Sequence, residues 1–265
     1  MKSLSRHESE ILRLVALRGS CSIADLATQL GVSDETVRRH IRPLVDRGQV
    51  DKVHGGIVMP DRLREAPLER RMTENREAKE SIAAAVADRV EDGDSLIMDT
   101  GSTTAYVALA LSRKAGLKIV TNSTTIARTL VRQKSNRVYL VGGEVGGDQL
   151  ATFGQEAIEF VSRFNVRHAI LSIGGINANG ELLDFDLDEA EFSRAVIRRA
   201  ETITIAADHT KFSRKALVKV CDVSDIDRFV TNQEPPEAFR DFLDRYDASL
   251  VVTERENSPE SSNSD

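Results

Sequence analysis

Three stretches of helical periodicity open the chain. Leu4, Ile11, Leu12, Leu14 and Val15 recur at helical spacing behind Ser5, and Glu8 follows that serine by three residues, so a capping box is expected to start a helix over Leu4–Gly19. Ser22 with Asp25 repeats the signature ahead of a second helix, Ile23–Leu30. Gly31 supplies a turn, and Ser33 caps a third helix in which Val37, Ile41 and Leu44 face inward and Thr36, Arg38, Arg39 and Arg42 face out. Behind it, Val50–Val53 and Ile57–Met59 flank His54-Gly55-Gly56 as a short hairpin. Two short helices joined by a glycine turn and followed by such a wing form a winged helix-turn-helix, which lays its second helix in the major groove of a duplex. A first domain over 1–59 is therefore expected.

Residues 60–76 are charged, carry Pro67 and show no clear period, as an interdomain linker would. From 77 to 253 the pattern alternates. Helix Glu77–Val90 leads to strand Ser95–Met98, helix Thr104–Leu111 to strand Lys118–Thr121, and helix Thr124–Arg132 to strand Val138–Val141. Helix Gln155–Phe164 then leads to strand Ala169–Ile173, helix Asp188–Ala200 to strand Thr202–Ala206, and helix Glu237–Tyr246 to strand Ser249–Thr253. Apolar strands alternating with amphipathic helices imply an α/β domain with a mainly parallel sheet covered on both faces.

In such sheets a ligand sits beyond the carboxyl ends of the strands. The first strand is followed by Asp99-Thr100-Gly101-Ser102-Thr103-Thr104, a hydroxyl-rich loop whose backbone N–H groups open a helix and suit a dianion. Thr121-Asn122-Ser123, Gly142-Gly143-Glu144 and Gly174-Gly175 follow the next three strands, and Asp208 and Lys211 follow the strand near residue 205. Glycine and serine after any one strand are ordinary turn chemistry. Their convergence at one sheet edge, with hydroxyls, amides and a cation, points to a phosphorylated polyol.

Composition narrows the picture. The 265 residues suit two domains, and neither a run of eighteen apolar residues nor a cleavable leader is legible, so a cytoplasmic protein away from membranes is expected. Cys21 and Cys221 lie far apart, and the five histidines form no i, i+4 pair, so neither a metal site nor a cofactor is expected. The net charge of −6 is uneven, since residues 1–59 hold 9 Lys and Arg against 7 Asp and Glu, whereas residues 60–265 hold 27 against 35. Positive charge thus gathers where a duplex would need it. Arginine far outnumbers lysine, as a salt-adapted source would favour, and the acidic, serine-rich tail 254–265 is expected to be disordered.

The strings Ile23-Ala-Asp-Leu-Ala, Gly31-Val-Ser, Thr36-Val-Arg-Arg, Gly48-Gln-Val and Val53-His-Gly-Gly resemble the DNA-binding domain of the DeoR/GlpR family of bacterial and archaeal sugar regulators. His40 stands where the family usually carries an acidic residue, and Pro43 is expected to kink the third helix. Pro67-Leu68-Glu69-Arg70-Arg71, Asn75 and Lys79 resemble the family's linker and first sensor helix. Asp99-Thr-Gly-Ser-Thr-Thr, Val120-Thr-Asn-Ser, Leu140-Val-Gly-Gly and Ala207-Asp-His-Thr-Lys-Phe resemble its sensor domain, whose fold is like ribose-5-phosphate isomerase. The resemblance implies a repressor of sugar catabolism genes, for fructose, glucose or glycerol utilisation, acting as a homodimer or homotetramer on double-stranded operator DNA. It implies DNA contacts from Ser33, Thr36, Arg38, Arg39, Arg42 and His54. A phosphorylated sugar effector would meet Thr100, Gly101, Ser102, Thr103, Thr104, Asn122, Gly142, Gly143, Gly174, Asp208 and Lys211.

An enzyme of the isomerase type is the alternative. Shifting a proton beside a carbonyl needs a carboxylate base, and the isomerases carry an Asp-Gly-Ala-Asp-type stretch after the fourth strand, where this chain has Ile173-Gly-Gly-Ile-Asn. Glu189 and Glu191 could supply a base, but an acidic pair on a helix is usually a solvated face. No residue is assigned to catalysis. A nucleotide switch fits less well, because no GxxxxGK[ST] occurs.

Overall fold

The computed structural model describes residues 5–18, 20–53, 55–58, 65–133, 135–146 and 148–253. The chain divides into two compact units, one running to Ala66 and including Lys215–Leu217, the other comprising Pro67–Arg214 and the chain from Val218.

In the first unit, α1 (Arg6–Arg18), β1 (Ser20–Ser22), α2 (Ile23–Leu30), α3 (Asp34–Asp46), β2 (Asp51–Val53) and β3 (Gly56–Val58) follow in order. The capping box forms, with Ser5 N–H donating to the Glu8 carboxylate at 2.8 Å and Glu8 N–H to Ser5 Oγ at 3.2 Å. Ser22 Oγ accepts from Asp25 N–H, and Ser33 Oγ from Thr36 N–H. Each cap satisfies an amide that precedes the first intrahelical bond. Ile11, Val15, Leu26, Val37, Leu44 and Ile57 are buried together, which fixes the face α3 turns inward. Pro43, expected to kink α3, lies in its last turn, and the helix continues to Asp46. The strand β1 was not expected. It pairs antiparallel with β3, giving the order β1-β3-β2. Gly56 permits that pairing, because a Cβ there would lie 2.4 Å from the Cys21 carbonyl oxygen.

The second unit begins with α4 (Leu68–Thr73), inside the stretch expected to be linker. Residues 60–64 of that stretch lie outside the described residues, but from Pro67 the chain belongs to the second unit. Leu68 is buried with its N–H donating to Asp148 O, and the Tyr106 hydroxyl donates to Met72 O. A helix of six residues is too short to display a period, so its sequence resembled a tether.

There follow α5 (Arg76–Ala87), β4 (Ser95–Met98), α6 (Ser102–Leu111), β5 (Lys118–Thr121), α7 (Thr124–Leu130), β6 (Arg137–Leu140), β7 (Val145–Gly146), β8 (Ala151–Thr152), α8 (Gln155–Val161) and β9 (Val166–Leu171). The chain continues through β10 (Gly175–Ile176), β11 (Leu182–Asp184), α9 (Leu187–Ile197), β12 (Ala200–Ala206), β13 (Val218–Cys221), β14 (Arg228–Thr231), α10 (Glu237–Arg245) and β15 (Ser249–Val252). Seven strands form one parallel sheet in the order β15-β14-β12-β9-β4-β5-β6. Alternate residues enter opposite cores: Leu96 and Met98 pack with α5, α6 and α7, and Ile97 packs with α8, α9 and α10. Coverage of both faces accounts for the nearly continuous apolar strands.

The strand order reverses at β4, with β5 and β6 added on one side and β9, β12, β14 and β15 on the other. The carboxyl ends of β4 and β9 therefore flank the crevice where such sheets bind ligands. A small antiparallel sheet, β10-β11-β13, and the β7-β8 pair are appended, and neither was expected. Cys21 and Cys221 are buried free thiols, and burial, with the charges of Asp225 and Asp222, pushes the Cys221 thiol up to about 12. Among the described residues no helix is long and apolar enough to cross a membrane.

Candidate functional site

Two sites emerge, one in each unit. In the first, burial of Val37, Ile41 and Leu44 sets the rotation of α3 and leaves Arg38, Arg39 and Arg42 exposed on one side. An open groove of about 490 Å³ runs between α3 and the β2-β3 wing, bounded by these three arginines, Lys52, Glu35, Asp46, Gly56 and Ile57. Four cations against two carboxylates suit a polyanion. Ser33 is exposed and Thr36 half-buried at the amino end of α3, where backbone N–H groups also favour phosphate. His54 lies outside the described residues. His40 is directed elsewhere: its ring packs on His7 of α1, with centroids 5.0 Å apart, so this departure from the family pattern acts on the helix bundle.

The second site is built on the carboxyl edge of the parallel sheet. Asp99, at the end of β4, accepts from Ser172 N–H at 2.9 Å and thereby ties the two strands that flank the crevice. Its other oxygen is buried without a partner, and burial, with the nearby Asp184 charge, holds the carboxyl well above the usual carboxylate range. Gly101 lies against this tie. A Cβ there would fall 2.1 Å from Ser172 Oγ, so the close approach requires glycine.

Ser102, Thr103 and Thr104 form the first turn of α6 and are buried; the first backbone bond of that turn comes only from Ala105 N–H to Gly101 O. The amides of 102–104 precede it and face the positive end of the helix dipole. Thr104 turns its hydroxyl back to the Asp99 and Gly101 carbonyls, and Thr100 donates to Gln149 O. Asn122 is fully buried, donates through Nδ2 to Thr152 O, and keeps Oδ1 without a partner. Asp208 accepts from Thr210 N–H and hydroxyl, and Lys211 is buried. Gly174 is buried beside Phe185, whereas Gly142 and Gly143 are exposed on the loop after the edge strand β6.

The sequence reading placed Asp99 at the head of the anion loop but not among the effector contacts, and it did not include Arg71, Asn75, Lys79 or Gln149 in this site. Asn75 Nδ2 donates to Asp208 Oδ1 at 3.3 Å, and Arg71 donates to Gln149 Oε1. Lys79 is buried, donates from Nζ to two carbonyls, and is pushed down to about 8 by its burial, against the pull of Asp208. Lysine on an apolar helix face was the available signal, since lysine is almost never fully buried unless paired.

The comparisons with known proteins agree with this division. The model of the DeoR-like helix-turn-helix domain matches residues 6–62, and that of the DeoR C terminal sensor domain matches residues 74–233. The chain is 33% identical over 252 residues to the glycerol-3-phosphate regulon repressor of Escherichia coli (strain K12), covering 95% of this chain and 100% of that protein. It is 29% identical to the HTH-type transcriptional regulator GlpR of Haloferax volcanii, covering 86% of this chain and 89% of that one. Among solved structures, ribose 5-phosphate isomerase A from Methanocaldococcus jannaschii superimposes with a TM-score of 0.39 at 14% identity, over 54% of this chain and 56% of its own.

Proposed function

The chain belongs to the DeoR family, and from that premise we propose that it is a transcriptional repressor of carbohydrate-catabolism genes that grips operator DNA through α3 and is switched by a phosphorylated sugar. It is a regulator and not an enzyme. The observation that carries the reading is the arginine trio of α3: Arg38, Arg39 and Arg42 are exposed beside the wing groove and make no ion pair with any described residue, which leaves their charge for phosphates and base edges. Ser33, Thr36 and His54 complete the DNA-contacting set.

The effector's phosphate lies at the first turn of α6, with Thr100, Gly101, Ser102, Thr103 and Thr104 around it. Asn122, Gly174, Asp208 and Lys211 meet the polyol, and Gly142 and Gly143 border the mouth. The relatives named for the glycerol-3-phosphate regulon favour glycerol or a related sugar as the regulated nutrient. The protein works in the cytoplasm as a homodimer or homotetramer, because paired recognition helices match paired operator half-sites.

The test is the double variant Arg38→Ala/Arg39→Ala in a salt-controlled gel-shift assay on the DNA upstream of its own gene. Binding is expected to weaken by at least about tenfold, with the salt slope reduced by about two if both arginines meet phosphates. An unchanged affinity and slope would remove α3 from the groove.

A further inference from the structure

The strand β6 is an edge of the parallel sheet, and its outer side is open to pairing. Arg137 N–H donates to Leu117 O and Val141 N–H to Thr121 O, so alternate residues of the strand face β5. Val138 and Leu140 therefore carry their N–H and C=O groups away from it, and no described strand meets them. Proteins usually guard such an edge with lysine, proline or a bulge. The four residues Arg137–Leu140 pair with β5 in unbroken register and include neither lysine nor proline, and their one charge stands at the start. Both faces of the strand are apolar and partly bare. Tyr139 is 40% exposed, with its ring against Phe164 at 5.2 Å between centroids, and Leu140, on the opposite face, is 45% exposed. Val131 and Val145 are exposed as well, so four of the nine large apolar side chains exposed among the described residues fall within 131–145. Apolar side chains gathered on one open edge strand and its flanks mark an interaction surface.

Charge and composition select the occupant. Arg137 opens the strand and Glu144 follows it; both are exposed, and neither makes an ion pair with a described residue. Antiparallel pairing of two copies sets the Arg137 end of each strand toward the Glu144 end of the other, whereas parallel pairing would set like charges together. Residues 254–265 of the chain itself do not suit the edge, because they carry no large apolar side chain and follow β15, the strand at the far side of the sheet. Pairing β6 with β15 of a second copy would leave an edge free at each end and extend without closing, whereas β6 against β6 closes at two copies.

We propose that β6 pairs antiparallel with β6 of a second copy of this chain about a two-fold axis, with Tyr139 opposite its own counterpart, joining two seven-stranded sheets into one. This rests on the homo-oligomer reading above, to which it gives a surface. The register follows from the outward groups: Val138 exchanges both backbone bonds with the second copy's Leu140, and Leu140 with its Val138. Tyr139 then lies between them as a non-hydrogen-bonded pair, the closer kind of cross-strand contact. An axis perpendicular to the sheet keeps each face on its own side, so the two Tyr139 rings meet on one face and valine meets leucine on the other.

The test uses the full-length protein. Tyr139→Lys sets two ammonium groups face to face across the axis, and in sedimentation velocity it is expected to halve the wild-type mass. Its affinity for the DNA upstream of its gene should fall at least about tenfold, since the half-sites are no longer held by one particle. Tyr139→Cys places two thiols on strands whose Cα atoms lie about 4.5 Å apart, within disulfide reach. Mild oxidation is expected to convert it to a reducible dimer on a non-reducing gel, while Leu140→Cys, roughly 8 Å from its counterpart, stays a single chain. The native thiols are buried and stay out of this reaction. Should Tyr139→Lys fail to fold, the two cysteine variants decide alone. Wild-type mass in folded Tyr139→Lys, or equal cross-linking of Tyr139→Cys and Leu140→Cys, overturns the pairing and leaves the homo-oligomer reading in place. A monomeric wild type overturns both and gives the edge to another protein.

Discussion

Asp99 shows how much one buried side chain can reveal about its surroundings. Its carboxyl is raised by burial, so the folded state holds the proton more tightly than the unfolded chain. That contribution is complete below the unfolded value near 4 and is lost as pH rises through the folded value. An amide carries no such dependence yet still accepts from Ser172 N–H. Asp99→Asn is therefore expected to gain on the wild type as pH rises, read as the difference between their urea midpoints from pH 5 to pH 8. Asp99→Ala, which strands the Ser172 N–H, should cost about 1–3 kcal/mol at both pH values. A wild-type advantage over Asp99→Asn that grows from pH 5 to pH 8 would mean that the carboxylate is ionised and paired.

Among the elements, α6 divides most clearly, because its first turn brings the amides of Ser102, Thr103 and Thr104, which precede the first intrahelical bond, to the carboxyl edge of the sheet while the rest packs against α5 and α7. Replacing Ser102 and Thr103 with Glu puts negative charge where a dianion is expected. DNA binding should persist while glycerol 3-phosphate no longer alters it; a retained response in the shift assay would move the phosphate elsewhere. The same scale explains what the sequence made legible. Strands Ser95–Met98 and Lys118–Thr121 were expected at those bounds, since each is a short apolar run between strong helical patterns. The strand β14 was missed because Arg228–Thr231 offers only Phe229 and Val230 as core residues after an acidic turn. The strand β1 was missed for a similar reason, with Cys21 alone buried in its three residues. At the site, the glycine and hydroxyl loops stood out locally. Arg71, Asn75 and Lys79 did not, because their relation to Asp208 and Gln149 spans 78 to 133 residues of chain.

At the scale of the whole molecule, charge and topology divide the labour. The excess of acid beyond residue 60 repels a duplex, whereas the groove beside α3 carries four cations against two carboxylates, a contrast that salt screens. The parallel sheet could in principle serve an isomerase, since folds host unrelated functions. Its crevice holds Asp99, whose carboxylate accepts from Ser172 N–H and so ties β4 to β9. Purified protein incubated with ribose 5-phosphate should yield no ketose above the uncatalysed rate. Turnover that disappears in Glu189→Gln would instead make the sensor a catalyst.

The two sequestered thiols have a practical corollary. With Cys21 and Cys221 both inside and the latter held near 12, neither supplies an accessible thiolate at neutral pH. A maleimide probe should react with a cysteine engineered at an exposed position far faster than with either native one. Spectroscopic rulers can thus be attached to the unmodified background, and mild oxidants should leave DNA recognition untouched.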